Sequence, residues 1–135
     1  MALQISRKHY AQLLKWAEQA AKEECCGLLL GHGGTVSEVV QAANISADRY
    51  HHFEIDPATL IAAHKEARNG GPQIRGYFHS HPNGMARPSK TDIAQAANDG
   101  RYWLIIANQS ISAWEPRGDG SQIFALDAVP LIVEG

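Results

Sequence analysis

His79 and His81 stand either side of a single serine in the stretch YFHSHPNGMARPSKTD, residues 77–92, and Asp92 closes it. The residues before the first histidine read as a strand. Side chains two apart on a strand point to the same face. A rise of about 3.3 Å per residue puts the two Cα atoms ~6–7 Å apart. Two imidazoles at that spacing can converge on one ion, with Zn–N bonds of about 2.0–2.1 Å. Asp92 offers a carboxylate as a third ligand. Two histidines, one carboxylate and an open fourth position describe a catalytic zinc site rather than a closed structural one. A water in that position would lose a proton near pH 7.

Structural explanations compete at each position. An isolated H-x-H is a weak signal, because paired surface histidines on strands are commoner than ligands. Ser89 and Asp92 form S-x-x-D ahead of a helical run, which is close to a capping box. An acid in the first helical turn also suits the helix dipole. The two explanations are compatible, since a cap can hold a ligand in place. A zinc hydrolase further needs a group that takes a proton from water and hands it to the leaving amine. No H-E-x-x-H run is present, so that group has to come from elsewhere. Glu23 and Glu24 precede the apolar stretch CCGLLLG. A carboxylate at the mouth of a core strand can face a metal held by its neighbour. Glu23 reads as a solvated residue at the end of a helix. For Glu24 the catalytic and the solvated readings both stay open on residue physics alone.

These residues need elements to position them. Residues 6–23 carry apolar side chains at Tyr10, Leu13, Leu14, Ala17 and Ala21, which is helical spacing, and Ser6 suits the N-cap. CCGLLLG, apolar and closed by glycine, predicts a buried strand. HGG predicts a turn, and TVSEVVQAANI a second strand. RYHHFEI, residues 49–55, predicts a third strand with His51, Phe53 and Ile55 on one face. Asp56-Pro57 opens a helix that stops at Gly70-Gly71-Pro72. QIRGYFHSH is a fourth strand, PNGMARP a loop and SKTDIAQAAN a short helix. YWLIIAN, SISAWEP and QIFALD complete the chain as strands, the first two joined by a turn near Gln109-Ser110. Strands interleaved with helices predict an α/β fold, with a mixed sheet flanked by helices in one domain spanning 1–135.

Composition narrows the function classes. The chain has 135 residues, 44% hydrophobic and 19% charged, with a net charge of −2. That is ordinary for a globular domain. The absence of any run of five basic residues speaks against nucleic acid as a partner. The N-terminal MALQISRKHYAQLLKW is too charged for a signal peptide. GLLLG and WLIIA are far too short to span a bilayer, so a cytoplasmic protein with no membrane partner is expected. Cys25 and Cys26 are adjacent and point to opposite faces of a strand, a poor geometry for a disulfide. In a reducing compartment at least one reads as a small buried hydrophobe; a redox or nucleophilic thiol is the alternative, without C-x-x-C spacing to support it.

The combination of EECCGLLLG with GYFHSHPNGMARPSKTD resembles the JAMM motif of MPN-domain metallopeptidases. Glu24-Cys25-Cys26-Gly27 matches its glutamate before a glycine-bearing apolar strand. His79-Ser80-His81, seven intervening residues, then Ser89 and Asp92 match its H-x-H-x7-S-x-x-D. The order of the other elements is also similar, so the resemblance covers nearly the whole chain and implies an MPN-like domain. It further implies that His79, His81 and Asp92 bind one zinc ion, and that Glu24 is the general acid/base. Ser89 would help stabilise the tetrahedral oxyanion, and Pro82 would shape the turn after the strand. It implies hydrolysis of an amide or isopeptide bond at the C-terminus of a ubiquitin-like or sulfur-carrier protein ending in Gly-Gly. Members lacking these residues serve as non-catalytic scaffolds, and this remains the alternative reading. Base deamination ranks low, since neither H-x-E nor P-C-x-x-C is present.

Other residues read as structural. Trp16, Trp103 and Trp114 are expected in the core, and His9, His32 and His64 at the surface. Of His51 and His52, one is expected packed and one solvated, with contact to the metal ligands or the substrate as the alternative. Arg87 reads as a solvated loop residue, with contact to a substrate carboxylate or backbone as the alternative.

Overall fold

The computed structural model describes residues 2–135. In chain order its elements are β1 (Leu3–Ser6), α1 (Arg7–Ala20), β2 (Cys26–His32), β3 (Thr35–Ala42), α2 (Pro57–Arg68), β4 (Gln73–Ser80), α3 (Lys90–Gln95), β5 (Tyr102–Ala107), β6 (Ser110–Asp119), β7 (Gln122–Val129) and β8 (Leu131–Glu134). The strands make one sheet in the order β7-β6-β5-β4-β2-β3-β1-β8. It is mixed: β4 runs parallel to β5 and antiparallel to β2.

Alternation along the strands sends side chains to two cores. Leu29 and Phe78 join Leu13 of α1 on one face. Leu28, Leu30 and Trp103 join Ala63 of α2 on the other, with Ile93 of α3 packed against them. The adjacent cysteines divide in the same way, Cys25 to the first core and Cys26 to the second. Both thiols are free and buried, and burial pushes the Cys26 thiol up to about 12. They behave as the small hydrophobes expected. Gly27, the next residue, has a steric role. A Cβ there would lie 2.0 Å from the Val40 carbonyl oxygen and 2.4 Å from the Phe78 ring, whose other neighbour is Trp16, stacked at 5.8 Å.

Ser6 caps α1, accepting from the backbone N–H of His9 at 3.1 Å. Asp56 caps α2 ahead of Pro57. The expected α/β fold with helices flanking a mixed sheet is therefore what forms. Three local readings are corrected. Helix α1 ends at Ala20, because Ala21 adopts a φ of 56°. The first and last strands, β1 and β8, pair with each other in parallel at the sheet edge; four residues each is too short for periodicity to declare. RYHHFEI is not a strand. It forms turns, with Asn44↔Ile55 as an isolated bridge. Phe53 and Ile55 are still buried while His51 is exposed. The alternation reflects a loop pressing two apolar side chains into the second core.

Candidate metal centre

Strand β4 lies between β2 and β5, so the residues at its C-terminal end emerge in the middle of the sheet. His79 is its penultimate residue and is fully buried. Its ring stacks on Phe53 at 4.4 Å and meets Trp103 edge-on at 5.6 Å, which fixes its orientation. His81 falls just past the strand, held in place by its N–H donating to the Ile106 carbonyl at 2.9 Å. Its Nδ1–H donates to the Met85 carbonyl at 2.7 Å, so Nε2 is the atom left with a lone pair. A helix cap then delivers Asp92. The Ser89 hydroxyl accepts from the Asp92 N–H at 3.0 Å, and the Ser89 N–H donates to Asp92 Oδ2 at 2.9 Å. Both halves of the capping box form.

These elements bring three donors together. His79 Nε2 lies 3.0 Å from His81 Nε2 and 3.2 Å from Asp92 Oδ1. His81 Nε2 lies 2.9 Å from Asp92 Oδ2. Lone pairs this close repel unless a proton or a cation sits among them. Tetrahedral ligands on zinc, at bonds of about 2.0–2.1 Å, stand roughly 3.3 Å apart. The donor set and its spacing therefore fit zinc. Electrostatics agree. Burial raises the Asp92 carboxyl, but hydrogen bonds from His79 and His81 outweigh it and hold the group well below its ordinary value. Burial lowers both histidines; for His81 the bonds to Asp92 and Met85 reverse the direction, while His79 stays lowered.

Glu24 reaches the same place from the other side. Its backbone is clamped at both ends: its N–H donates to the Arg49 carbonyl at 2.7 Å, and its carbonyl accepts from Asn44 Nδ2 at 2.9 Å. One residue on, the Cys25 N–H donates to Ser80 Oγ at 2.9 Å, tying this segment to the end of β4. The Glu24 side chain is buried, with Oε1 lacking a partner. Burial pushes its carboxyl up from 4.5 to about 7, partly offset by His81. Glu24, His81, Pro82 and Ser89 line one cleft of about 500 Å³. Of the two readings left open for Glu24, the solvated one is ruled out. Arg87 also lines this cleft and is exposed. His51 reaches it too, paired with Asp48 at 2.9 Å, whereas His52 is half-buried.

Asn44 escaped the sequence reading. After a strand, asparagine looks like an ordinary turn residue. Here its amide nitrogen donates to the carbonyls of Glu24 and His52, and its oxygen accepts from the N–H groups of Ser46 and Glu54. It binds the 45–55 loop to the residue bearing the buried carboxylate. Asn44→Ala strips a half-buried network, so a loss of about 1–2 kcal/mol is expected in urea melts, with Asn44→Asp intermediate.

Residues 6–117 match the model of a family described as prokaryotic homologs of the JAB domain. The chain belongs to that family. Its JAMM-type residues and its relatives make it a hydrolase by family. It is 30% identical over 99 residues to the desampylase of Haloferax volcanii, covering 71% of each chain. It is 33% identical over 76 residues to a probable TtuB-protein conjugate cleaving protease of Thermus thermophilus, covering 56% of this chain and 51% of that one. The crystal structure of a JAB1/MPN domain protein from Archaeoglobus fulgidus superposes with a TM-score of 0.64 at 21% identity, over 98% of this chain and 97% of that one. The MPN-like fold expected from the motif is thus the fold observed. Among the described residues no helix is long and apolar enough to cross a membrane.

Proposed function

We propose that this protein is a zinc-dependent peptidase or isopeptidase that hydrolyses the amide bond at the C-terminus of a ubiquitin-like or sulfur-carrier protein ending in Gly-Gly. One observation carries the reading: three buried donors converge, and His81 among them lines the same cleft as a buried carboxylate with a free oxygen. The names of the two curated relatives support the substrate class. His79, His81 and Asp92 would hold one zinc ion. When bound, zinc supplies Lewis-acid polarisation of the scissile carbonyl and of water.

The protein's own groups do the rest. Glu24 takes a proton from the attacking water and delivers it to the leaving amine as a C–O bond forms and the C–N bond breaks. A carboxyl near 7 is present in both forms at neutral pH, which this shuttle requires. The Ser89 hydroxyl accepts from the Asp92 N–H, so its own proton is free to meet the developing oxyanion. Two terminal glycines suit a cleft crossed by an extended backbone, because they bring no side chains to clash. The proposed setting is the cytoplasm, supported by the two free cysteines. The proposed unit is a single domain.

The test incubates zinc-loaded protein with ubiquitin-like proteins carrying C-terminal extensions, or joined to a lysine side chain, and reads intact mass. Release of the extension or the conjugate is expected. Tight binding of a carrier with no mass change would instead favour the non-catalytic scaffold.

A further inference from the structure

The cleft beside Glu24 opposes the protein as a whole in charge. The chain is net negative, yet the cleft is walled by Lys22 and Arg87, and Glu24 is its one acidic lining residue among those described. Lys22 comes from just beyond α1, and Arg87 from the loop between β4 and α3. They converge from distant parts of the chain. Nearby side chains are already paired: Arg49 with Glu23, and the His51 ring with Asp48. Lys22 and Arg87 have no ion pair among the described residues. Two free cations facing one space favour an anionic guest.

The space limits that guest. About 500 Å³ is the volume of a small-molecule pocket, not of a docking face for a folded partner. Tyr50 and Met85, both large and exposed, line the same cleft and offer apolar contact. A small group with one apolar side chain and one carboxylate meets every feature of the wall.

We propose that Lys22 and Arg87 bind the free α-carboxylate of the leaving group, so that the favoured substrate is a carrier protein bearing a C-terminal extension of one or two residues. The assignment of the leaving group rests on the hydrolase reading above; the carboxylate site itself does not. In the reaction, water supplies the oxygen of the new carrier carboxylate and the proton taken up by the departing amine. The extension leaves as a free amino acid or dipeptide. A lysine side chain within a target protein carries no such carboxylate, and the cationic wall disfavours a basic target surface.

The experiment uses two peptides ending in Gly-Gly-Leu, one a free acid and one a carboxamide. Binding to zinc-loaded Glu24→Gln protein is read by fluorescence anisotropy. The acid is expected to bind roughly tenfold tighter, as one charge-assisted contact at an open site provides, and the preference should shrink as salt is raised. Adding Lys22→Ala and Arg87→Ala should erase the preference while leaving amide affinity and the melting temperature unchanged. Equal affinities, no measurable binding of either peptide, or a preference that survives in the variant would overturn the proposal. Survival would assign the carboxylate to the metal or its ligands. Turnover by the native protein is read in parallel. Acid-selective binding without cleavage sinks the hydrolase reading and spares the site; cleavage of both peptides with equal binding does the reverse.

Discussion

Asp92→Ala is expected to yield folded protein that no longer retains zinc. Elemental analysis after dialysis should find one zinc per native chain and almost none in the variant. The substitution removes one of three converging donors and the negative charge that draws a cation to two neutral imidazoles. The loss should exceed the roughly 10–100-fold typical of removing a group that only supports a ligand. Folding is less affected. The cap of α3 loses its reciprocal bond, worth about 1 kcal/mol, and the desolvation of a buried carboxylate is relieved at the same time. Asp92→Asn separates the two roles, since its amide oxygen can still accept from the Ser89 N–H. It should keep the cap and bind zinc weakly. Full zinc in Asp92→Ala would rule out the proposed ligand set.

The second large effect belongs to Glu24→Gln. Zinc should be retained, and hydrolysis should slow by about 10²–10⁴-fold, the range contributed by a positioned proton-transfer group. Unchanged turnover would place proton transfer elsewhere. Stability against pH offers an independent reading. The folded carboxyl sits near 7, and the unfolded one near 4.5. Between those values the folded state binds a proton that the unfolded chain has released. Stability from this group is therefore complete below about 4.5 and declines as pH rises through 7. His79 and His81 titrate nearby, so the comparison must be between proteins. In metal-free protein, Glu24→Gln should gain melting temperature over native at pH 8 relative to pH 5. A difference independent of pH would show that Glu24 is not held protonated by burial.

Much of this centre was readable before any coordinates. Spacing identified His79 and His81 as a pair, and S-x-x-D located the start of α3. What spacing could not supply was depth. For Glu24, at the end of a helical pattern, residue physics leaves the solvated and the catalytic readings both open until β2 is known to lie beside β4. The 45–55 loop misled for the opposite reason. Its alternating Phe53 and Ile55 mimic a strand, but the side chain of Asn44 takes up the His52 carbonyl and the Glu54 N–H, and its bonds to Glu24, His52 and Glu54 span separations of 8 to 20 residues that no local pattern encodes. Likewise β8 has its partner only in β1, from the far end of the chain, and β1 in turn lies between β8 and β3.

The capping box has one more consequence. Helix α3 has six residues, too few to persist on its own propensity. Its first turn is closed by the same Asp92 carboxylate that meets the two histidines. With the proposed ion held by these ligands, ion occupancy and helix order would be two readings of one equilibrium, with reciprocal coupling between them. Whatever holds Asp92 in the centre also protects the amide hydrogens of the α3 first turn from exchange with solvent. Whatever loosens that turn makes the ion easier to lose. On that proposal, protection of those amides should fall when the metal is stripped, a change visible without any substrate.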